Sequence, residues 1–178
     1  NWLHSTAGPR SLSLKVICQL HARILKDLSP NAGELRREAS AIFNQAGVAI
    51  YFTPPPPEIK PLLDQLIRNI RRIPINPIRA AVFHFGFEKI HPFWDGNGRV
   101  GREVLNLMLQ KKGYPRAIIN LENRQSYIAL LERVQLNKEY NKFSKFIFLC
   151  LEKRAQEIEK ILKENKPQIL KKLLEKVN

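Results

Sequence analysis

The spacing of apolar residues constrains the fold of this chain more than any other feature of its sequence. Apolar side chains recur every three or four residues over 14–28 and again in successive segments from residue 61 onward. That spacing places them on one face of an α-helix. Residues 48–53, rich in β-branched and aromatic side chains, are typical of an edge strand, and the prolines at 54–57 end it. The stretch 33–45 is polar and irregular, so the sequence predicts an α-helical bundle with one small β-element.

Capping residues predict where three of these helices begin. Either Ser11 or Ser13 can cap the first helix, because a hydroxyl group accepts a hydrogen bond from a first-turn amide. Pro61 suits the first turn of the second helix, where an N–H group is not needed. Asn76 followed by Pro77 gives a cap and a first turn for the third helix.

Length and composition indicate how the chain is organised. It has 178 residues, 44% of them hydrophobic and 26% charged, which fits one folded domain with its own core. We assign residues 1–150 to that domain, with its core at about 11–148, and residues 151–178 to a C-terminal amphipathic extension interrupted at Pro167. No run approaches the ~20 apolar residues of a membrane span. Because Asn1 starts the chain without the features of a signal peptide, we expect a fragment of a longer protein.

Two cysteines and a large positive charge narrow the classes of function. Cys18 and Cys150 are too few for a disulfide framework or a zinc site, and both fall on apolar helical stripes. They favour buried, reduced thiols and a cytoplasmic setting. Lys and Arg number 30 against 16 Asp and Glu, a net charge of +14 that attracts nucleic acid, an acidic partner or a phosphate-bearing small molecule. The alternative, that these charges simply solvate helix surfaces, stays open.

Residues 90–102, between two predicted helices, carry the side chains best suited to chemistry. The closely spaced Gly96 and Gly98 precede a helix and would leave several backbone N–H groups free to bind an anion. Arg99 and Arg102 follow, where cations are poorly placed against the helix dipole unless an anion is bound. Tight turns alone would also use Asp-Gly and Asn-Gly, but they do not explain the arginines. The segment therefore predicts a phosphate site.

Two further side chains of this segment indicate a reaction. Asp95 supplies one oxygen ligand for Mg²⁺, which commonly uses one or two carboxylates together with substrate phosphates. His91, with an ordinary pKa of about 6.5, can act as a neutral base near physiological pH. A base, a magnesium ligand and a phosphate site so close together suggest that a hydroxyl group attacks a nucleotide phosphate.

From His91 to Arg102 the sequence resembles the signature of the Fic family, His-x-Phe-x-[Asp/Glu]-Gly-Asn-Gly-Arg-x-x-Arg, at every fixed position. The resemblance continues over most of the chain, from the helix that bears His21 through the stretch 33–36 to about Phe148. It implies a mostly α Fic-fold helical bundle with one short β-hairpin flap. Because His21 lies on an apolar helical stripe, we interpret it as a hydrogen-bonded core residue rather than a ligand.

Most Fic proteins transfer AMP from ATP to a hydroxyl group of a target protein and release pyrophosphate. The resemblance therefore implies a protein adenylyltransferase that uses ATP and Mg²⁺. It implies that His91 deprotonates the target hydroxyl, that Asp95 holds the Mg²⁺ and that Phe93 packs to orient the loop. Five residues are implied to bind the phosphates of ATP, three through backbone amides and two through guanidinium groups: Gly96, Asn97, Gly98, Arg99 and Arg102.

The predicted strand at 48–53 matches the flap of the family. In Fic proteins the flap pairs with an extended segment of the target by β-augmentation, so the resemblance implies a protein substrate docked there. The side chains of Ile50 and Phe52 are also expected to touch the nucleotide.

On the far side of the site, Tyr127 matches a residue that lies near the adenine. Ile128 and Gln135 depart from a frequent family pattern, which has a second Tyr and an Asn at these places. Gln135 is nevertheless assigned to the nucleotide site. Gly98 stands where a phage-encoded relative that phosphorylates its target has Lys, and this difference favours AMP transfer.

Many Fic proteins carry an inhibitory helix, [Ser/Thr]-x-x-x-Glu-[Gly/Asn], whose Glu pairs with the second motif arginine, here Arg102. The pairs Glu122-Asn123 and Glu164-Asn165 lack the required Ser or Thr. An inhibitory Glu is thus expected upstream of residue 1, on an antitoxin-like partner, or not at all. A second copy of the chain is a further candidate partner, whereas nucleic acid and membrane are not expected.

Two other functions compete with AMP transfer. One is removal of AMP from a modified protein, or a switch between both reactions, which in the family needs the inhibitory Glu. The other is a basic nucleic-acid-binding regulator, although no helix-turn-helix signature stands out in the sequence.

Overall fold

The computed structural model of the chain describes residues 12–43, 46–137 and 139–174, and this part contains six α-helices and one β-hairpin. The predicted helical bundle with a short hairpin is thereby confirmed. The elements in chain order are α1 (Leu14–Ile24), β1 (Ala41–Phe43), β2 (Ala49–Phe52), α2 (Pro56–Arg71), α3 (Pro77–Ile90), α4 (Asn97–Gln110), α5 (Leu121–Asn137) and α6 (Tyr140–Leu174).

Helix α3 lies at the centre of the bundle, and α2, α4, α5 and α6 all pack against it. Ten of its 14 residues are buried, as expected of a helix that is apolar nearly all round. Its start follows the prediction, because the Asn76 side chain accepts a hydrogen bond of 2.9 Å from the Arg79 amide and Pro77 occupies the first turn. The catalytic candidates follow directly after its last residue, so the most buried helix fixes their position.

The β-hairpin pairs β1 and β2 in antiparallel fashion, with Ile42 opposite Tyr51. Strand β2 falls within the predicted 48–53 segment, but β1 lies in the stretch 33–45 that the sequence indicated to be irregular, and that prediction is wrong. Three residues are too few for an apolar alternation to be visible, and β1 is defined only by its pairing. After β2, the amide and hydroxyl groups of Thr53 both donate to the Ser40 carbonyl, at 3.0 and 2.8 Å, and close the base of the hairpin.

Two helix boundaries differ from the predictions. Ser13 caps α1 through a 3.3 Å hydrogen bond from the Val16 amide, whereas the alternative cap, Ser11, lies outside the described residues. Helix α1 ends at Ile24, before the end of the 14–28 stripe. Helix α2 begins at Pro56, so Pro61 lies inside the helix rather than in its first turn. Prolines are tolerated at the helix start because first-turn N–H groups have no intrahelical partner, which allows α2 to begin early.

Helix α6 is continuous through Pro167, so the predicted interruption there is wrong. Its first part contributes Phe143, Ile147 and Cys150 to the core, whereas residues 152–166 are half-buried or exposed. The assigned boundary between residues 150 and 151 therefore falls within one helix. Among the described residues, no helix combines the length and the hydrophobicity that a membrane crossing needs.

The two cysteines are free thiols, as predicted. Cys150 is buried in the core and Cys18 is half-buried on α1. Burial raises the pKa of both thiols, which keeps them protonated and unreactive.

Candidate active site

His91 occupies the turn at the end of α3. Its backbone N–H donates to the Phe87 carbonyl at 3.0 Å, and its φ of 49° lies in the left-handed region, which is uncommon for a residue with a side chain. This conformation ends the helix and starts the loop of residues 91–96 that leads into α4. The candidate base is therefore held at the C-terminal end of the central, largely buried helix α3.

The stacked rings of His21 and Phe93 fix the position of the 91–96 loop. Phe93 is fully buried and lies parallel to the His21 ring, with centroids 3.8 Å apart. The Nδ1 of His21 accepts a 2.7 Å hydrogen bond from the Gly33 amide, so its Nε2 carries the proton and donates to the Asp95 carbonyl at 3.0 Å. The predictions of a hydrogen-bonded core histidine at 21 and of a packing role for Phe93 are both confirmed.

The first turn of α4 keeps its amides available. Gly96 is the N-cap, with a φ of 77°, and contributes no side chain to cap the helix. The Asn97 side chain is turned back onto the loop instead, where it accepts from the Phe93 amide at 2.9 Å and donates to the Phe93 carbonyl at 2.8 Å. The Gly96 amide is already engaged by the Asp95 carboxylate at 2.5 Å. Of the amides assigned to phosphate binding, those of Asn97 and Gly98 are thus the better placed.

Asp95 and Arg99 form an ion pair at the mouth of the loop, with 2.7 Å between Oδ2 and Nη2. The Gly96 amide and the Arg99 guanidinium lower the pKa of Asp95, so this carboxylate is ionised at neutral pH. Both side chains are well exposed, and exposed pairs of this kind contribute about 0–1 kcal/mol. The pair can therefore open at little cost when a ligand arrives.

Arg102 points from α4 towards α5. Its guanidinium carbon lies 5.8 Å from the centre of the Tyr127 ring. A Cβ atom on Gly98 would lie 2.9 Å from Nη1 of Arg102, so only glycine at position 98 leaves this side chain its place. Arg102 lines two depressions of the surface. One is a groove of about 480 Å³ between α1, α4 and residues 116–119, which Arg99 also lines. The other is a smaller cavity on the side of α5.

A cavity of about 260 Å³ lies between the hairpin, the loop and α5. It brings together five of the residues that the sequence assigned to the site: His91, Gly98, Arg102, Ile50 and Tyr127. Phe52, by contrast, is 78% exposed and is not part of the lining. Gln135 belongs to α5, but its side chain lies outside the described residues.

The environment of His91 favours the neutral imidazole. Burial lowers the pKa of His91 below its ordinary value and the charge of Arg36 adds to this, whereas the backbone of Glu88 and the charge of Asp95 act in the opposite direction. The net shift is downward, so the ring is unprotonated at pH 7 and can accept a proton.

Sequence reasoning missed a buried polar chain behind the cavity. The Nε2 of His84 lies 2.7 Å from the Tyr127 hydroxyl, and its Nδ1 lies 3.9 Å from the Glu88 carboxylate. Burial lowers the pKa of His84 to about 3 and raises that of Glu88 to about 7. Gly101 leaves room for both, since a Cβ there would lie 2.7 Å from Glu88 Oε1. The sequence signal for this chain is a pair of titratable residues four apart on a largely apolar helix.

Arg36 is a second site residue that the sequence does not reveal. Its guanidinium is almost fully buried and donates to the carbonyl of His91 at 2.8 Å. The sequence carries no local sign of this contact, because the partner is a backbone group 55 residues away.

Known proteins that are similar to this chain belong to one family. The model of the Fic/DOC family matches residues 11–109. Curated relatives include the proteins named protein adenylyltransferase Fic of Drosophila mojavensis and Drosophila melanogaster, each 33% identical over 147 residues, or 80% of this chain. The match covers 28% of each relative, so the chain spans less than a third of their length.

Solved structures show the same fold. A Fic-1 fragment from C. elegans, residues 134–508, is 25% identical with a TM-score of 0.77, over 92% of this chain and 49% of that one. A Fic family protein from Desulfovibrio desulfuricans G20 is 22% identical with a TM-score of 0.72, over 89% of this chain and 51% of that one, a likeness of fold alone. With over half of its residues matched by the family model, and with the family's signature built into the loop between α3 and α4, the chain belongs to the Fic/DOC family.

Proposed function

We propose that this chain transfers AMP from ATP to a hydroxyl group of a target protein. The observation that carries the proposal is that a neutral His91, the uncapped amides of α4 and the Arg102 guanidinium converge on one cavity. A base and an anion-binding helix end beside a cavity are what a phosphate-transfer site requires. The names of the curated relatives support the same reaction.

In this proposal the nucleoside lies in the 260 Å³ cavity, against Ile50 and Tyr127. The phosphates then run across the first turn of α4, where the amides of Asn97 and Gly98 and the positive end of the helix dipole bind their oxygens. Arg102 lines both the cavity and the neighbouring groove, and Arg99 also lines the groove. Both guanidinium groups would therefore lie near the distal phosphates.

The residues present fit a magnesium ion bound jointly with the nucleotide. No three metal-ligating side chains cluster among the residues described, so a metal site made of protein alone is not supported. A single exposed and ionised carboxylate, Asp95, stands beside the free amides of α4, which suits a cation that takes its remaining oxygens from phosphates and water. Asp95 would hold the ion, and the ion would neutralise phosphate charge.

His91 performs the proton transfer in this proposal. Its imidazole takes the proton of the target hydroxyl as the hydroxyl oxygen forms a bond to the α-phosphorus of ATP. The bond from that phosphorus to the bridging oxygen breaks, and pyrophosphate leaves with the bonding electrons. The amides of α4 and Arg102 stabilise the negative charge that builds up on the phosphate oxygens.

The β-hairpin is the proposed docking site for the target. Phe43 and Phe52 are exposed on its strands, at 59% and 78%, and a two-stranded hairpin has outer edges whose N–H and C=O groups can pair with a third strand. An extended target segment that pairs with such an edge would pass close to His91, because Ile42 and Ile50 of the hairpin line the same cavity as the imidazole.

Regulation of this site belongs to the same proposal. A glutamate supplied from outside these 178 residues, by a preceding segment or by a partner protein, would pair with Arg102 and compete with the terminal phosphate. A second copy of the chain could also contribute to such control.

A labelling experiment tests the proposed reaction. ATP carrying ³²P in the α-phosphate should label a target protein or the chain itself when Mg²⁺ is present, and ATP labelled in the γ-phosphate should not. His91→Ala should abolish the label because it removes the base. Equal labelling by His91→Ala, or transfer of the γ-phosphate, would contradict AMP transfer.

A further inference from the structure

Arg36 joins two parts of the site that meet only in the folded chain. Its Nε donates to the His91 carbonyl at 2.8 Å, and its backbone N–H donates to the Pro92 carbonyl at 2.9 Å. Its Nη1 donates to the Glu38 carbonyl at 2.7 Å, and its Nη2 donates to the carbonyls of Pro54 at 2.5 Å and Ile90 at 3.5 Å. Glu38 precedes β1 and Pro54 follows β2, so one guanidinium group binds both ends of the hairpin and the turn that carries the base.

The burial of this charge argues for more than loop packing. Arg36 is only 4% exposed, and its described side-chain hydrogen bonds all go to backbone carbonyls rather than to a carboxylate. Removing a cation from water without an anionic partner is costly, and a neutral side chain could fill the same space. The planar guanidinium group, however, can donate hydrogen bonds to several carbonyls in fixed directions at once.

The position of His91 depends on these contacts. A non-glycine residue in the left-handed region is held there by its surroundings, and the two backbone groups of His91 are bound by the Phe87 carbonyl on one side and by Arg36 on the other. The first bond belongs to α3. Only the second bond, from Arg36, connects the backbone of His91 to the hairpin.

We infer that Arg36 is a positioning residue that fixes the docking hairpin relative to His91, so that a target hydroxyl bound on the hairpin reaches the imidazole. This inference rests on the proposed function, because it concerns the geometry of the same transfer. It assigns Arg36 a role in aligning the acceptor and none in binding ATP, since the guanidinium contacts neither the first turn of α4 nor Arg102 in the described structure.

Two substitutions and a matched control test the inference. Arg36→Lys keeps the charge and roughly the length of the side chain but cannot bind four carbonyls in fixed directions. We expect it to lower kcat for AMP transfer about 10- to 100-fold, as a misplacement of about 1 Å does, and to raise KM for the target. The Kd for ATP should change less than about twofold. Arg37→Gln is the control, because that neighbouring side chain is 85% exposed and pairs only with Glu34 among the described contacts.

Thr53→Val distinguishes a loosened hairpin from a displaced His91. The Thr53 hydroxyl donates to the Ser40 carbonyl, and among the described residues it has no hydrogen bond to the 91–96 loop. Its loss should raise KM for the target and leave kcat within about twofold of the parent. A fall in kcat equal to that of Arg36→Lys would mean that loosening the hairpin alone explains both variants, and it would overturn the inference.

Nuclear magnetic resonance distinguishes this inference from the proposed function, since it needs no activity. In Arg36→Lys the His91 ring signals should shift and the amides of residues 41–52 should exchange faster with solvent, whereas Thr53→Val should affect only the hairpin. A parent without AMP transfer that still shows this pattern would refute the function and leave the positioning role. Unchanged His91 signals in Arg36→Lys, or a variant that no longer folds, would assign Arg36 to stability alone and overturn the inference.

Discussion

The guanidinium of Arg102 lies against the Cα of Gly98, four residues earlier on α4, so closely that a Cβ atom on Gly98 would be 2.9 Å from Nη1. The atom in the way is the end of a flexible side chain, so a larger residue at position 98 would displace Arg102 rather than the backbone. The identity of residue 98 therefore controls where the positive charge of Arg102 stands in the cavity.

Gly98→Ala should weaken ATP binding about 10- to 100-fold without destabilising the fold. The displaced Arg102 loses one charge-assisted hydrogen bond to phosphate, worth about 1.5–3 kcal/mol, while alanine in a helix is favoured over glycine by about 0.5–1 kcal/mol. Calorimetric titration with ATP and thermal unfolding measure the two effects. In an Arg102→Ala background, Gly98→Ala should add nothing. A further loss there would show that Gly98 acts independently of Arg102.

Asp95→Asn should reduce activity and leave stability nearly unchanged. The exposed pair with Arg99 contributes at most about 1 kcal/mol, and the amide of Asn can still accept the hydrogen bond from Gly96. The lost negative charge should raise the Mg²⁺ concentration needed for half-maximal AMP transfer, with partial rescue by excess metal. The matched control is Asp64→Asn on α2, outside the cavity lining. An unchanged Mg²⁺ requirement in Asp95→Asn would remove Asp95 from metal binding.

The rate of AMP transfer should fall only when the pH drops below about 6.5. The net effect of burial, Arg36, the Glu88 backbone and Asp95 lowers the pKa of His91 in the folded protein, so protonation of the base requires more acid than in an unfolded chain. The unfolded state binds this proton first, and the stability contributed by His91 is likewise lost as the pH falls through that range. A profile of kcat/KM against pH, which reports the pKa values of the free enzyme, measures this fall in rate. A midpoint above 6.5 would mean that another group controls the rate.

Glu88→Gln should stabilise the protein more at pH 8 than at pH 5. Burial raises the pKa of Glu88 from its ordinary 4.5 to about 7, so the folded state holds a proton that the unfolded state releases. The parent therefore loses stability as the pH rises from 4.5 to 7, and a glutamine does not. Urea unfolding at both pH values measures the difference. Glu122→Gln, an exposed site, should show none, and equal effects of Glu88→Gln at both pH values would contradict a buried neutral carboxyl group.

Sequence and structure agree best where the determinants are local. The loop and first turn of α4 could be anticipated because His91, Gly98 and Arg102 are neighbours in the chain, and a helix end places neighbours predictably. The same holds for the caps Ser13 and Asn76, which act on amides three residues away.

The rest depended on contacts that leave no local pattern. Arg36 binds carbonyls 2, 18, 54 and 55 residues away, and every residue type has a carbonyl, so nothing in the sequence marks its partners. Strand β1 is too short to show alternation and exists through pairing with β2. The ion pair of Asp95 with Arg99 differs, because the two residues are only four apart, but in the sequence each side chain is equally well explained by a ligand.

At position 91 the proposed chemistry and the stability of the fold favour different residues, because the chemistry needs a histidine and the left-handed backbone favours a glycine. Left-handed geometry costs a residue with a side chain about 1–2 kcal/mol, and glycine would adopt it freely. Replacing the histidine by glycine would relieve the backbone while it removes the base. A His91→Gly chain should therefore fold at least as stably as the parent while it lacks the proposed base.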